Sequence, residues 1–414
     1  MKILLILSDT RIKHGILDKL VYSSFYPSIT LEQLISVTPN KYEIDYVDER
    51  WDDVDFNWNG DIVGISTLTS NAIHAYEIAD EFRKRGKTVV LGGYHPSALP
   101  KEAKMHADAV VVGEAEVSWP QLLNDFENKK MKEFYTSKTV DPELIPSPHR
   151  KTQNLPFFGF GTVQATRGCP NGCKYCAIQN VEGCHFRARP IDKVIEDIKS
   201  IKTKRVFFAD SSMTTNTKYT KELFQEMIGL NKKFSCYGNI NVLNKDEELL
   251  RLSNKAGCEQ WLIGFDSVNQ ETIKYIGKRS NKVEDYVSGV KKIRDYNMNI
   301  MGMFVLGFDT DTSNIFDATL ETIRKMELDR PVFSILTPFP GTALFDQLEK
   351  QGRILTKDWS KYNLRNIVFQ PKNFTVDQLR NGLKYTIKEA YSFKKSLKVK
   401  LDFYKYITGN FFGN

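Results

Sequence analysis

Three of the six cysteines in this 414-residue chain fall within eight residues, in the run Cys169-Pro-Asn-Gly-Cys173-Lys-Tyr-Cys176. Thiolates crowded on one short loop favour a soft metal or an iron–sulfur cluster. A four-iron cluster held by only three cysteines keeps one iron open to bind a further molecule, and chemistry can start there. The alternative is a zinc site completed by Cys184 or His185. Zinc clusters usually pair two Cys-x-x-Cys knuckles, which this chain lacks. Cys236 lies in an expected strand and Cys258 just before one, where a thiol serves as a small core residue.

The elements that must position those thiols follow from the hydrophobic pattern. In the first third, short aliphatic runs alternate with amphipathic stretches, the pattern of a parallel sheet covered by helices. Strands are expected at Ile3 to Leu7, Glu43 to Val47, Asp61 to Ser66, Thr88 to Leu91 and Ala109 to Val112. A helix is expected over Ala72 to Arg85, where Ile73, Ala75, Tyr76, Ala79 and Phe82 recur at helical spacing. Several strands run into glycine at their carboxyl ends, where open parallel sheets bind ligands. Prolines 142, 146, 148 and 156 mark a linker. Beyond it, strands are expected at Gly161 to Thr166, Arg205 to Ala209, Ser235 to Ile240, Gln260 to Gly264, Asn299 to Leu306 and Val332 to Leu336. Six such β/α units make part of an eight-unit barrel, whose sites lie at the carboxyl ends of the strands. The cysteines come just after the first unit. The expected fold is therefore α/β: a Rossmann-like parallel-sheet domain (residues 1–130), a linker (131–158), a partial (β/α)6 TIM-type barrel (159–357) and a C-terminal extension (358–414) of irregular pattern.

Composition narrows the function classes. The net charge of +7, from 58 basic and 51 acidic residues spread along the chain, suits a solvated surface and gives no nucleic-acid tail. Six cysteines in so long a chain do not form a secreted disulfide framework, so a reducing cytoplasm is expected. The apolar run Ile3 to Leu7 is too short for a signal peptide, and no stretch has the length of a membrane span. The tail from Lys394, with Phe403, Tyr404, Tyr406, Phe411 and Phe412, suits either peripheral membrane contact or a packed helix.

Cys-x-x-x-Cys-x-x-Cys after a first barrel strand resembles the motif of radical S-adenosylmethionine enzymes. The resemblance implies a 4Fe-4S cluster on Cys169, Cys173 and Cys176, with the methionyl amino and carboxylate groups of S-adenosylmethionine on the open iron. One electron then cleaves the sulfonium to give a 5′-deoxyadenosyl radical. The resemblance also implies contacts to that cofactor. Tyr175 would pack near the adenine. Asp210, in Ala209-Asp210-Ser211-Ser212 where the family usually has Gly-Gly-Glu, would meet the methionyl amino group. Asn239 and Asn241 would lie near the ribose, and Leu336, ending the sixth strand, would also contact the cofactor. Asp266, in Gly264-Phe265-Asp266-Ser267, stands where Glu is more usual; capping the helix from Gln270 is an equal reading of it.

Further segments resemble one branch of these enzymes, which carries an N-terminal cobalamin-binding-like domain. They are Leu91-Gly92-Gly93-Tyr94-His95-Pro96-Ser97, Gly113-Glu114-Ala115-Glu116, Gly307-Phe308-Asp309-Thr310-Asp311-Thr312 and Thr337-Pro338-Phe339-Pro340-Gly341-Thr342. The branch implies cobalamin contacts at Ser66, Thr67, Gly92, Gly93, Tyr94, His95, Gly113 and Glu114. The Asp-x-His-x-x-Gly loop that donates an axial histidine is absent, so cobalt lacks that ligand unless His95 or another residue serves. The reaction this implies is cobalamin-dependent methylation of an unactivated carbon. Two alternatives stand beside it: radical rearrangement, ring formation or oxidation over a vestigial cobalamin domain, and a cobalamin-binding or redox-sensing module without turnover. The substrate would be a small or lipid-like molecule, and an electron donor such as flavodoxin or ferredoxin would reduce the cluster.

Overall fold

The computed structural model describes residues 1–9, 28–137, 139–150, 159–328 and 330–391. The end of the expected linker (151–158) and the aromatic tail from Lys394 lie outside the described residues.

The first sheet contains β1 (Lys2–Leu7), β2 (Glu43–Asp48), β3 (Ile62–Ser66), β4 (Thr88–Gly92), β5 (Ala109–Val112) and β6 (Phe134–Thr136), in the order β2-β1-β3-β4-β5-β6. All its pairings are parallel. Its aliphatic runs bury both faces. Leu4, Ile6, Val63, Ile65, Val89 and Leu91 enter one core with the helix Ala72–Lys84. Ile3, Leu5, Ile62, Val90 and Val111 enter the other, against the helices Thr30–Val37 and Ala115–Glu127. This split is the period-two alternation of a strand acting on continuous apolar sequence. Five of the strands lie where the sequence places them. β6 was not expected: it has three residues, only Tyr135 of which is buried, and it extends the sheet from within the segment expected as linker.

The second sheet takes β7 (Phe160–Val163), then, beyond the short antiparallel pair β8 (Thr166–Arg167) and β9 (Arg187–Ala188), β10 (Arg205–Phe208), β11 (Lys233–Gly238), β12 (Cys258–Asp266), β13 (Asn299–Leu306) and β14 (Arg330–Ile335). Its order is β14-β13-β12-β11-β10-β7, parallel throughout. It is a partial barrel with β7 and β14 at its open edges. Phe160, Phe207 and Leu262 fill the face opposite a larger core that holds Phe208, Phe234, Trp261, Phe265 and Phe304. Cys236 and Cys258 are buried in that core, as expected.

The segment after residue 358, expected to be irregular, is built into the fold. Trp359, Tyr362 and Val368 join Phe345 in a core of the first sheet. Trp359 Nε1 donates to Glu102 Oε1 at 2.8 Å. The helix Val376–Ala390 follows, opened by a capping box between Thr375 and Gln378. No helix among the described residues is long and apolar enough to cross a membrane.

Candidate functional site

The cysteine loop leaves β8 through two left-handed glycines, Gly168 (φ 81°) and Gly172 (φ 65°). A Cβ on Gly168 would stand 2.0 Å from the His185 carbonyl oxygen, so only glycine fits there. Backbone bonds tie the loop to its neighbours: Cys169 N donates to Gly183 O, Lys174 N to Ile276 O, and Leu344 N to Lys174 O. The Asn171 amide reaches the Cys169 sulfur at 3.5 Å. All three thiols are free and partly buried. Burial pushes Cys173 up to about 12 and raises Cys176 as well, while the nearby Lys278 ammonium draws both down. Three adjacent, partly buried thiols, two of them held neutral by burial, suit a cationic iron cluster, whose charge replaces their protons. Among the described residues no three His, Cys, Asp or Glu side chains converge as a single metal ion would require. Cys184 is exposed, its sulfur 3.5 Å from His185 Nδ1.

Tyr175, Asp266 and Leu336 gather beside this loop. Tyr175 packs its edge on Phe308 (5.8 Å between centroids) and against the apolar cluster containing Leu336. Burial pushes its phenol well above the usual range, and the Asp266 charge adds to the shift. Asp266 ends β12 beyond a register shift, in the left-handed region at φ 62°, and pairs with Lys278 Nζ at 2.6 Å. Asn269, not Asp266, caps the helix Gln270–Tyr275, which leaves the Asp266 carboxylate facing the site. Such backbone strain in a non-glycine residue concentrates at functional sites.

Asp210, Asn239 and Asn241 are each bonded within the chain. Asp210 is buried and accepts from Ala165 N, Thr166 N and Thr166 Oγ1, so it pins the bend between β7 and β8. Burial pushes its carboxyl up to about 7, against the pull of those donors. Asn239 caps the helix Ile240–Lys245 and donates to Asn281 Oδ1. Asn241 donates to Asp285 and accepts from Lys282 N, holding the loop before the next helix. In each case the side chain's donors and acceptors are engaged by this chain's own backbone and loops.

A cavity of about 560 Å³ opens between the two sheets. From the first sheet it is lined by the strand ends carrying Ser66, Thr67, Gly92, Gly93, Tyr94, Gly113 and Glu114. From the second it takes Thr162, Gln164, Arg167, Phe207 and Ala209. The order 2-1-3-4-5 of the first five strands puts a topological switch point between β1 and β3, and Ser8 and Asp9 at that point also line the cavity. Gly92 alone of the expected glycines has room for a side chain: its Cβ would meet Val111 at 3.7 Å. Gly93 (φ 98°) has none, because a Cβ would stand 2.7 Å from Thr67 O. A ligand can therefore approach closely at Gly92, whereas Gly93 is required by the fold itself. These residues fit a corrin laid on the strand ends. His95 is not among the described lining residues. It is fully buried, with Nε2 3.1 Å from Glu102 Oε1 and its ring edge on Trp359, so it is engaged by the C-terminal extension.

Sequence reasoning missed Arg167, Glu182 and Lys278, whose roles depend on partners distant in the chain. The only local sign was the position of Arg167 two residues before the first cysteine.

A family model for the radical SAM superfamily matches residues 163–340, and one for the B12 binding domain matches residues 43–123. The chain is 33% identical over 379 residues to bacteriochlorophyllide d C-12(1)-methyltransferase of Chlorobaculum tepidum, covering 86% of this chain and 81% of that protein. It is likewise 33% identical over 400 residues to bacteriochlorophyllide d C-8(2)-methyltransferase of the same organism, covering 89% and 86%. The fold is similar to that of the radical S-adenosylmethionine methyltransferase TsrM from Kitasatospora setae, solved with cobalamin and a [4Fe-4S] cluster: TM-score 0.70, 17% identity, 84% of this chain and 78% of that one. The chain belongs to the radical S-adenosylmethionine superfamily, in the methyltransferase branch with an N-terminal cobalamin-binding domain, and its cofactors are a 4Fe-4S cluster, S-adenosylmethionine and cobalamin.

Proposed function

We propose that this enzyme methylates an unactivated carbon on a flat macrocyclic substrate of the chlorin type. The observation that carries the reading is a cavity reaching from the cobalamin-facing strand ends to Arg167, at the root of the cysteine loop. A substrate seated there lies between the two cofactor sites. The chlorin class is supported by the two relatives at 33% identity, which are named for bacteriochlorophyllide.

When bound, the cofactors supply a carbon-centred radical to remove hydrogen and a methyl group to replace it. The chain's own residues bind, orient and exclude water. In this reading Cys169, Cys173 and Cys176 hold the cluster. Tyr175 and Leu336 wall the adenine, and Asp266, steadied by Lys278, takes a polar group of S-adenosylmethionine. Ser66, Thr67, Gly92 and Gly113 face the corrin. The corrin rests on residues 1–130 and the cluster on residues 159–357, with a small acidic carrier such as flavodoxin or ferredoxin as electron donor.

The test is anaerobic incubation of the reconstituted enzyme with dithionite, S-adenosylmethionine, hydroxocobalamin and bacteriochlorophyllide d as probe. The expected products are 5′-deoxyadenosine, S-adenosylhomocysteine and a pigment heavier by one methylene. Deoxyadenosine without S-adenosylhomocysteine would sink the methylation reading, and Cys173→Ala should abolish all three products. S-adenosylhomocysteine and 5′-deoxyadenosine together with an unchanged pigment would reject the chlorin class alone.

A further inference from the structure

Six charged or phenolic side chains, joined by the Ser211 hydroxyl, form a buried ionic and hydrogen-bonded network across the boundary between the two sheets. Glu114 and Glu116 stand just past the end of β5, with side chains only 2% and 5% exposed. Glu116 Oε1 lies 2.6 Å from Arg167 Nη2, and Glu114 Oε1 lies 3.4 Å from Arg167 Nη1. Arg187 places both terminal nitrogens on Glu114, at 2.6 and 2.9 Å, and one of them also reaches the Glu182 carbonyl oxygen at 2.7 Å. The Glu182 carboxylate accepts from Gly168 N (3.1 Å) and Ser211 Oγ (3.0 Å), and Tyr94 donates to it at 3.4 Å. Three of the members, Tyr94, Glu114 and Glu116, come from the corrin-facing edge, and the other three border the cysteine loop.

Burying several charges costs desolvation that apolar packing would not, so such a network adds little net stability. What it adds is direction, since bidentate guanidinium–carboxylate pairs fix angle as well as distance. Both ends are stiff. Arg167 is followed at once by Gly168, which admits no side chain, and then by Cys169. Glu114 follows Gly113, whose φ is 84°.

We infer that Glu116, Arg167, Glu114, Arg187 and Glu182 are positioning residues that set the separation between the corrin and the cluster. The inference rests on the proposed reading only in requiring both cofactors to be bound. A methyl group and a substrate radical must meet over a fixed short gap, and a misplacement of an ångström slows such an encounter severely.

Glu116→Gln tests this, because it keeps the side chain's shape and removes the charge opposite Arg167. In the apo chain, hydrogen exchange of the amides of residues 165–168 is expected to speed up by about tenfold. In the holoenzyme reduced with dithionite, dipolar spectroscopy between cob(II)alamin and the reduced cluster should show one narrow distance in the parent and a distribution about twice as broad in the variant. Glu116→Asp, which keeps the charge, should fall between them and covers the case of a poorly folded amide variant. Unchanged exchange and an unchanged distance distribution in both variants would overturn the inference. Failure of the parent to bind cobalamin would instead count against the methylation reading, leaving the apo exchange result to decide the network's role.

Discussion

At the scale of single residues, the cysteine spacing was legible because its chemistry is local: three thiols within eight residues can meet without help from the fold. The internal partners of Asp210 were not legible, since a carboxylate's partners are set by whichever backbone donors the fold brings to it. Its buried carboxyl supplies a pH test. Unfolded, it ionises near 3.8; folded, near 7. Between those values the folded chain holds a proton that the unfolded chain has lost. The contribution to stability is therefore full below the lower value and is lost as pH rises through the upper one. Asp210→Asn cannot titrate, so the parent's urea midpoint should exceed the variant's by more at pH ~5 than at pH ~8. An equal difference at both would mean that Asp210 stays ionised throughout. The glycines give a second test. Gly92→Leu should fold normally and lower cobalamin affinity, read by absorbance titration, by about tenfold or more. Gly93→Ala should instead lower the urea midpoint, because its clash is with the chain's own Thr67 carbonyl; normal stability in that variant would refute the packing argument.

The strands and helices were legible wherever continuous apolar runs met turn residues. Strands buried on both faces need no partner information to be recognised. The failures share a cause. β6 has one buried residue among lysines and polar groups, and Trp359 shares an otherwise polar stretch with a single further aromatic, Tyr362. Neither carries a period. Each is ordered by a surface made elsewhere in the chain, β5 in one case and the core beside the helix Ala72–Lys84 in the other. Trp359 is 4% exposed and bonded to Glu102. Trp359→Ala should therefore destabilise the chain by about 3 to 5 kcal/mol, measured by urea unfolding followed by circular dichroism. A loss below 1 kcal/mol, well outside the range for a buried aromatic, would mean the extension is only loosely docked.

The whole molecule is less divisible than its sequence suggests. A linker rich in proline and two separate sheets read as two independent domains, yet Phe345, Trp359, Tyr362 and Val368 supply part of the first sheet's core, and Glu114 and Glu116 grip Arg167 and Arg187. Calorimetry of the apo chain should show one cooperative transition; two resolved peaks would mean these contacts do not couple the halves. The borrowed core also bears on how the protein is made. Ribosomes deliver the amino-terminal sheet first, and domains commonly fold as they emerge. Here one apolar face of that sheet stays incomplete until the residues around Trp359 have been translated. The nascent chain carries this partly covered face through synthesis of the entire barrel, so the segment made first is the one exposed longest to wrong contacts.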